Sequence, residues 1–301
     1  MTTRDRVLTE LIVGPGRTAS LLRRETRWTG SGDLARLAAS TPDLDNAAHA
    51  LLARGRDELA EMQELLWADD RFAVLVILQG MDAAGKGSTI KRITLGVDPH
   101  GVQVVSFKQP SLGEHNQSFL RRISEAEPPR GVMAILNRSH YEDVVTARVH
   151  PQWLDSQGVA KNDRGSAFWA ARYEDINAFE RHLDRNGTKV VKLFLHISPA
   201  EQKRRFIERV GDLDKPWKFS AAHVRERRNW DQYLEAYEDA ITATSTDWAP
   251  WFVIPADNPH LTEAFASSIV VNEMRSLALR RPTVSEAERR ARDEALRELA
   301  G

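Results

Sequence analysis

The densest chemistry in the chain lies in Gly80-Met81-Asp82-Ala83-Ala84-Gly85-Lys86-Gly87-Ser88. The spacing matches GxxxxGK, a phosphate-binding loop that requires a buried strand before it and a helix after it. The apolar run Phe72–Leu78 stands directly before it, and a helical stretch over 88–95 follows. The glycines let the backbone N–H groups of Gly80, Ala83, Ala84, Gly85, Gly87 and Ser88 close around phosphate oxygens, and the helix start adds positive potential. Lys86 adds a point charge in the first turn of that helix, where a cation is otherwise disfavoured. A plain glycine turn between strand and helix would not call for it.

Two positions depart from the usual form of the motif. The Ser or Thr that normally follows the lysine and binds Mg²⁺ is Gly87, and Ser88, about 100° further round the helix, points elsewhere. Asn137 ends the apolar run 132–136 where an acidic residue would normally stand. The metal must then find its carboxylate elsewhere, and Asp82 within the loop is the nearest candidate. This combination is unlike ordinary ATPases and GTPases.

Asn137-Arg138-Ser139-His140-Tyr141-Glu142-Asp143 leaves that same strand end. Ligands of an open parallel sheet collect at the carboxyl ends of the strands, so Arg138 and Glu142 should face the phosphate loop. Arg138 is read as a phosphate clamp, a surface salt bridge being the plainer alternative. Lys108, after the run 102–107, occupies the equivalent crevice and is a candidate for the acceptor side. Residues 199–230 hold nine basic side chains against five acidic ones in a chain whose formal net charge is −1. A solvated face with i,i+4 pairs such as Arg204–Glu208 is the ordinary explanation. Yet Arg205 and Arg209 stack one turn apart, opposite the stripe Phe206/Ile207/Val210. A basic helical hairpin beside a phosphate loop suits a lid over a polyanion, with Lys203, Arg205, Arg209 and Lys218 as its cations.

The elements that must position these residues alternate. Apolar runs at 72–78, 102–107, 132–136, 190–197 and 251–254 read as strands buried on both faces. Helical periodicity lies between them at 88–95 and 168–186, and again over 44–69. The pattern predicts an α/β fold: a doubly wound parallel sheet flanked by helices, with a basic helical lid. The expected organisation is an N-terminal extension over 1–45 without a firm element, a main domain over 46–282 that includes the lid at 199–230, and a polar C-terminal helix over 283–301.

Composition removes several classes. At 301 residues the chain can bury a substantial core. Its apolar runs are far shorter than the roughly 20 residues of a membrane span, and its start lacks a secretory h-region. Without cysteine there can be no disulfide or thiolate metal site, and a cytoplasmic setting fits. The near-neutral charge and the lack of a recognisable module argue against a nucleic-acid binder.

Taken together, GMDAAGKG at 80–87, FKQPS at 107–111, NRSHYED at 137–143, RYEDINAFERHL at 172–183, EQKRRF…WKFS at 201–220 and TSTDWAPWFVIPAD at 244–257 resemble the polyphosphate kinase 2 family. The likeness runs in order from about residue 45 to 260. It implies a P-loop kinase-type fold with a helical lid, and reversible, Mg²⁺-dependent phosphoryl transfer between inorganic polyphosphate and a nucleotide. It puts Asp82, Lys86, Arg138 and Glu142 on the family's active-site positions, with Arg205 and Lys218 on its lid positions. Asn137 and Glu142 resemble the subgroup that phosphorylates both AMP and ADP, which places them on the nucleotide side. The resemblance also implies a homo-oligomer. Two positions depart from that subgroup: Gly87 and His223 stand where an acidic residue is usual.

The expected mechanism follows from charge. Polyphosphate needs many cations, while a nucleotide phosphate oxygen is already anionic and needs positioning more than a base. Lys86 and the loop amides would hold the reacting phosphates, Asp82 would anchor Mg²⁺, and Arg138 and the lid arginines would neutralise the transition state. The competing reading is an ATP-dependent nucleotide or small-metabolite kinase on the same fold. A guanine-specific switch is disfavoured because the chain has no Asn-Lys-x-Asp motif.

Overall fold

The computed structural model describes residues 3–30, 41–107 and 117–300. Six strands form one sheet: β1 (Ile12–Val13), β2 (Ala73–Gly80), β3 (Val102–Ser106), β4 (Met133–Asn137), β5 (Thr188–His196) and β6 (Trp251–Pro255), in the order β1-β6-β5-β2-β4-β3. The five strands read from the sequence are all present and run parallel. β2 is buried along its whole length, as a central parallel strand must be when helices cover both faces.

The short β1 was not expected. It pairs antiparallel with β6, Ile12 opposite Phe252. Around it residues 3–30 pack into the main core through Leu8, Leu11, Val13, Leu21 and Trp28. Polar ties reinforce the packing. The Ser20 and Leu21 amides donate to the Glu238 carboxylate at 2.7 and 2.6 Å, and Thr26 Oγ1 donates to Asp257 at 2.9 Å. The stretch read as an extension without a firm element therefore contains a helix, Thr3–Leu11, a strand and part of the core. Its segments are too short for periodicity to reveal, and they are apolar only in relation to the sheet edge they cover.

Helices Thr41–Asp69, Lys86–Ile93 and Pro259–Arg275 cover one face of the sheet, and Ser166–Arg185 and Trp230–Thr244 the other. Alternation along β5 shows the two faces directly. Lys189 reaches Glu273 on the first layer at 3.0 Å, and Lys192, three residues on, reaches Glu180 on the second at 2.6 Å. The C-terminal helix Glu286–Ala300 is exposed along its length. No described helix is long and apolar enough to cross a membrane.

This order places the switch point beside the carboxyl end of β2, where the chain leaves toward β3 and later returns to flank β2 with β4 and β5. In register, Asn137 lies opposite Leu78 and Gly80 opposite Leu195. Gly80 is at φ 151°, and a Cβ there would sit 2.8 Å from the Leu195 carbonyl oxygen. Only glycine lets the loop leave so close to β5. Gly80→Ala is expected to lower stability by about 2 kcal/mol in denaturant unfolding; unchanged stability would mean that the loop can be displaced freely from β5.

Candidate active site

The loop after β2 is shaped by three residues with positive φ: Gly80, Ala83 at 63° and Gly85 at 106°. Gly85 precedes helix Lys86–Ile93, whose start has no side-chain cap, so its first N–H groups remain open to an anion. The Lys86 ammonium folds back under the loop and donates to the carbonyls of Gly80 and Met81 at 2.5 and 3.1 Å. It is only 8% exposed. Burial first, then the neighbouring Arg138 cation, lowers its pKa to about 8, against the partial opposition of Asp82 and Glu142. Ser88 donates to the Gly85 carbonyl at 2.8 Å and is exposed, while around Gly87 a Cβ would meet only open space.

Asp82 and the loop after β4 meet across the mouth of the sheet. Arg138 Nη2 lies 2.6 Å from Asp82 Oδ1, and its Nη1 lies 3.6 Å from Glu142 Oε2. Glu142 above all, with Asp82, holds the Arg138 pKa above its ordinary value despite burial. Burial pushes the Asp82 carboxyl up, but Lys86 and Arg138 together outweigh it and leave it below the usual carboxylate range. Glu142 Oε2 also accepts from Thr146 Oγ1 at 2.6 Å. With the Gln79 amide oriented to satisfy its neighbours, its nitrogen donates to Glu142 Oε1 at 3.1 Å. Arg138 itself adopts φ 66°, and its backbone N–H donates to the Leu78 carbonyl at 3.1 Å. The backbone is thus turned sharply so that Arg138 and Glu142 point into one cavity.

That cavity has a volume of about 940 Å³ and includes Asp82, Asn137, Arg138 and Glu142 in its lining. The structure therefore brings these four and Gly80, five of the expected residues, together there, with Lys86 beneath the loop. Lys108 lies outside the described residues, as does the side chain of Lys218, whose backbone belongs to the short turn Pro216–Lys218. Lys203 lines a separate apolar groove with Phe206, Ile207 and Val210. Arg209 stands over the Phe206 ring at 5.4 Å, and its charge is felt at both Asp82 and Lys86.

Arg205 departs from the expected lid role. Its guanidinium donates to the carbonyls of Ala83 and Ala84 at 3.2 and 3.0 Å and of Ala256 at 2.5 Å, and it pairs with Glu201 at 2.7 Å. It braces the outside of the phosphate loop rather than facing the cavity. Residues 199–211 form one helix, and on it Arg205 points at the nearest set of unpaired carbonyls, a relation that spacing along the helix cannot reveal.

Several cavity residues were missed by sequence reasoning. Arg122, His150, Trp153, Tyr233 and Tyr237 converge on the cavity from four separate segments. Glu226 on the lid receives His150 Nε2 at 2.7 Å and the Tyr233 hydroxyl at 3.2 Å. Arg227 donates to Gln202 Oε1, and Gln202 Nε2 donates to the Asp82 carbonyl, each at 2.9 Å, so the lid is hydrogen-bonded through one amide to the phosphate loop. Proximity to the NRSHYED stretch could have pointed to His150 and Trp153; the others carry no local signal.

A buried ammonium whose folded pKa lies below its unfolded value of about 10.4 opposes folding while charged. Lys86, at about 8 in the fold, exerts that opposition in full below pH 8 and releases it as pH rises to 10.5. The shift corresponds to about 3 kcal/mol. Lys86→Met is expected to unfold at a higher temperature than the native chain at pH 7, with the gap narrowing toward pH 10. A less stable variant at pH 7 would show that the two carbonyl contacts outweigh desolvation.

Comparison with known proteins agrees with this geometry. The profile described as Polyphosphate kinase 2 (PPK2) matches residues 43–281. The "ADP-polyphosphate phosphotransferase" of Rhodopseudomonas palustris is 42% identical over 243 residues, 80% of this chain and 84% of that protein. The "AMP/ADP-polyphosphate phosphotransferase" of Meiothermus ruber is 43% identical over 236 residues, 78% of this chain and 84% of that protein. The crystal structure of polyphosphate kinase 2 from Arthrobacter aurescens TC1 superposes with a TM-score of 0.82 at 34% identity, covering 97% of each chain. With the matching profile spanning the five parallel strands, the phosphate loop, the NRSHYED turn and residues 199–230, the chain belongs to the polyphosphate kinase 2 family.

Proposed function

We propose that this protein is a polyphosphate-dependent nucleotide kinase that transfers the terminal phosphoryl group of inorganic polyphosphate to ADP and AMP. The observation that carries the reading is the Asp82–Arg138–Glu142 chain of alternating charge beside the Lys86 loop, opening on one cavity under a basic lid. A nucleotide-phosphate oxygen attacks the terminal phosphorus of the polymer, a new P–O bond forms, and the old bridging P–O bond breaks. Its electron pair remains on the polymer, now one unit shorter. The attacking oxygen is already anionic, so the protein need not supply a base. Its tasks are to align the two phosphates and to neutralise the charge gathered between them.

Lys86 and the loop N–H groups hold one phosphate, and Arg138 bridges toward the transferring group. Glu142 keeps Arg138 oriented while Gln79 and Thr146 hold Glu142 in turn. Asp82 fits a divalent cation because its carboxyl stays ionised and opens on the cavity. Among the described residues no three His, Asp or Glu side chains gather into a metal cage. The ionised Asp82 carboxyl suits Mg²⁺, which takes one or two carboxylates and fills its shell with phosphate oxygens and water. When bound, the ion would screen charge between donor and acceptor.

The deciding assay supplies long-chain polyphosphate and Mg²⁺ with ADP, then with AMP, and no other donor. ATP should form from ADP, and ADP or ATP from AMP. Asp82→Asn should reduce turnover by about a hundredfold or more. Turnover with ATP alone as donor, and none with polyphosphate, would overturn the reading. The kcat/KM for polyphosphate, which reports the free enzyme, should fall above about pH 8 as Lys86 loses its proton. A flat profile to pH 9.5 would remove Lys86 from the phosphate site.

A further inference from the structure

Directly behind the NRSHYED turn lies a charged cluster that touches no part of the cavity. Lys192 on β5 and Glu180 on helix Ser166–Arg185 are both essentially inaccessible, at 0% exposure. The Lys192 ammonium lies 2.6 Å from Glu180 Oε2, donates to the Thr244 carbonyl at 2.5 Å, and lies 3.2 Å from the Tyr141 hydroxyl. The Tyr141 hydroxyl donates to Glu180 Oε1 at 2.8 Å. His140 Nε2 stands 3.8 Å from the same oxygen, and the rings of Tyr141 and Trp251 meet edge to face at 4.8 Å. Burial by itself would raise the Glu180 carboxyl, and the Lys192 ammonium reverses that.

A buried ion pair is expensive to desolvate, and apolar residues of similar volume often serve stability as well or better. Its position suggests another use. The three groups bonded to the ammonium come from three elements, two of which build walls of the cavity. Tyr141 belongs to the turn that carries Arg138 and Glu142. Thr244 ends helix Trp230–Thr244, which carries Tyr233 and Tyr237 and whose C-terminal carbonyls attract a cation. Within the turn the side chains alternate: Arg138 and Glu142 point into the cavity, whereas His140 and Tyr141 are buried behind it. The turn has no strand or long helix of its own, and Arg138 sits at φ 66°. Something other than backbone regularity must hold it.

We propose that Lys192, Glu180 and Tyr141 are positioning residues: their buried hydrogen-bonded cluster sets where Arg138 and Glu142 stand relative to Asp82 and the phosphate loop, and so governs kcat rather than substrate affinity. The proposal rests on the assignment of Arg138 to the transferring phosphate, and the test separates the two.

The first variant is Tyr141→Phe, which keeps the ring against Trp251 and removes only the hydroxyl. Its kcat should drop about tenfold or more, as slight misplacement of a reacting group does. KM values for polyphosphate and ADP should stay within about twofold, and the melting temperature should fall by only a few degrees, the cost of one buried hydrogen bond. The second is the double variant Lys192→Met/Glu180→Gln, which discharges the pair. It should fold with comparable or higher stability and show the same selective loss of kcat. The third arm places Tyr141→Phe in an Arg138→Lys background, where its effect should largely vanish because both changes act on one group. Native kcat in Tyr141→Phe overturns the proposal, even if the double variant does not fold. Full additivity with an impaired Arg138→Lys also overturns it, since the hydroxyl would then act elsewhere. An Arg138→Lys enzyme with native kcat instead refutes the assignment of Arg138, and this proposal with it.

Discussion

Crowding of like charge at the end of β2 is the constraint around which this molecule is arranged. Lys86 is buried there, and the neighbouring Arg138 and Arg209 cations add to the cost of keeping it charged. Asp82 and Glu142 make the gathering tolerable, because each accepts charge from Arg138 and lowers the local repulsion. The carboxylates are therefore part of the cation site as much as any metal site. A phosphate chain entering the cavity would meet cations already oriented, and its own charge would take over part of the neutralisation. The arrangement exchanges stability of the free protein for a preorganised field, which is the form of catalysis available when the chemistry itself requires little covalent help.

The support behind the cavity obeys a different logic from its face. On the face, the Asp82, Arg138 and Glu142 charges pair with one another at the edge of the cavity. Behind it, Glu180, Lys192 and the Tyr141 hydroxyl are closed on one another and on a helix end. Arg205 acts similarly on the other side, where one guanidinium satisfies three carbonyls of the phosphate loop and the β6 end. Such planar, multidentate donors stiffen irregular backbone that has no ladder of its own. The phosphate loop and the turn after β4 are thus each held from outside by a cation, the part-buried Arg205 and the fully buried Lys192.

The N-terminal residues and the lid extend this frame at opposite places. Strand β1 closes the β6 edge, which would otherwise be exposed, and the Glu238 carboxylate receives the Ser20 and Leu21 amides from helix Trp230–Thr244. The same helix carries Tyr233 and Tyr237 to the cavity, so the N-terminal segment is tied to an element of the site. Residues 199–230 are tied to the site through Arg205 and Gln202, which donate to phosphate-loop carbonyls, and through Glu226, which accepts from His150, while Leu213 and Trp217 stay exposed.

The five parallel strands, the phosphate loop and the charge of residues 199–230 are legible in the amino-acid order alone. Those features are local: a buried strand is a continuous apolar run, and a phosphate loop is a fixed spacing of glycines ahead of a lysine. That order also marked Asp82, Arg138 and Glu142, because the carboxyl ends of neighbouring parallel strands must face one crevice. That Arg205 braces the loop from outside, that residues 12–13 form a sheet edge and that His150 and Tyr233 converge on Glu226 emerge only when the elements are packed. Nor could the pattern show that Lys192, midway along an apolar strand, meets Glu180 and Tyr141 from distant segments. Each of these depends on which groups are left unpaired when separate elements come together, and hydrogen-bonding need of that kind is a property of the packed molecule, absent from any stretch of the chain read alone.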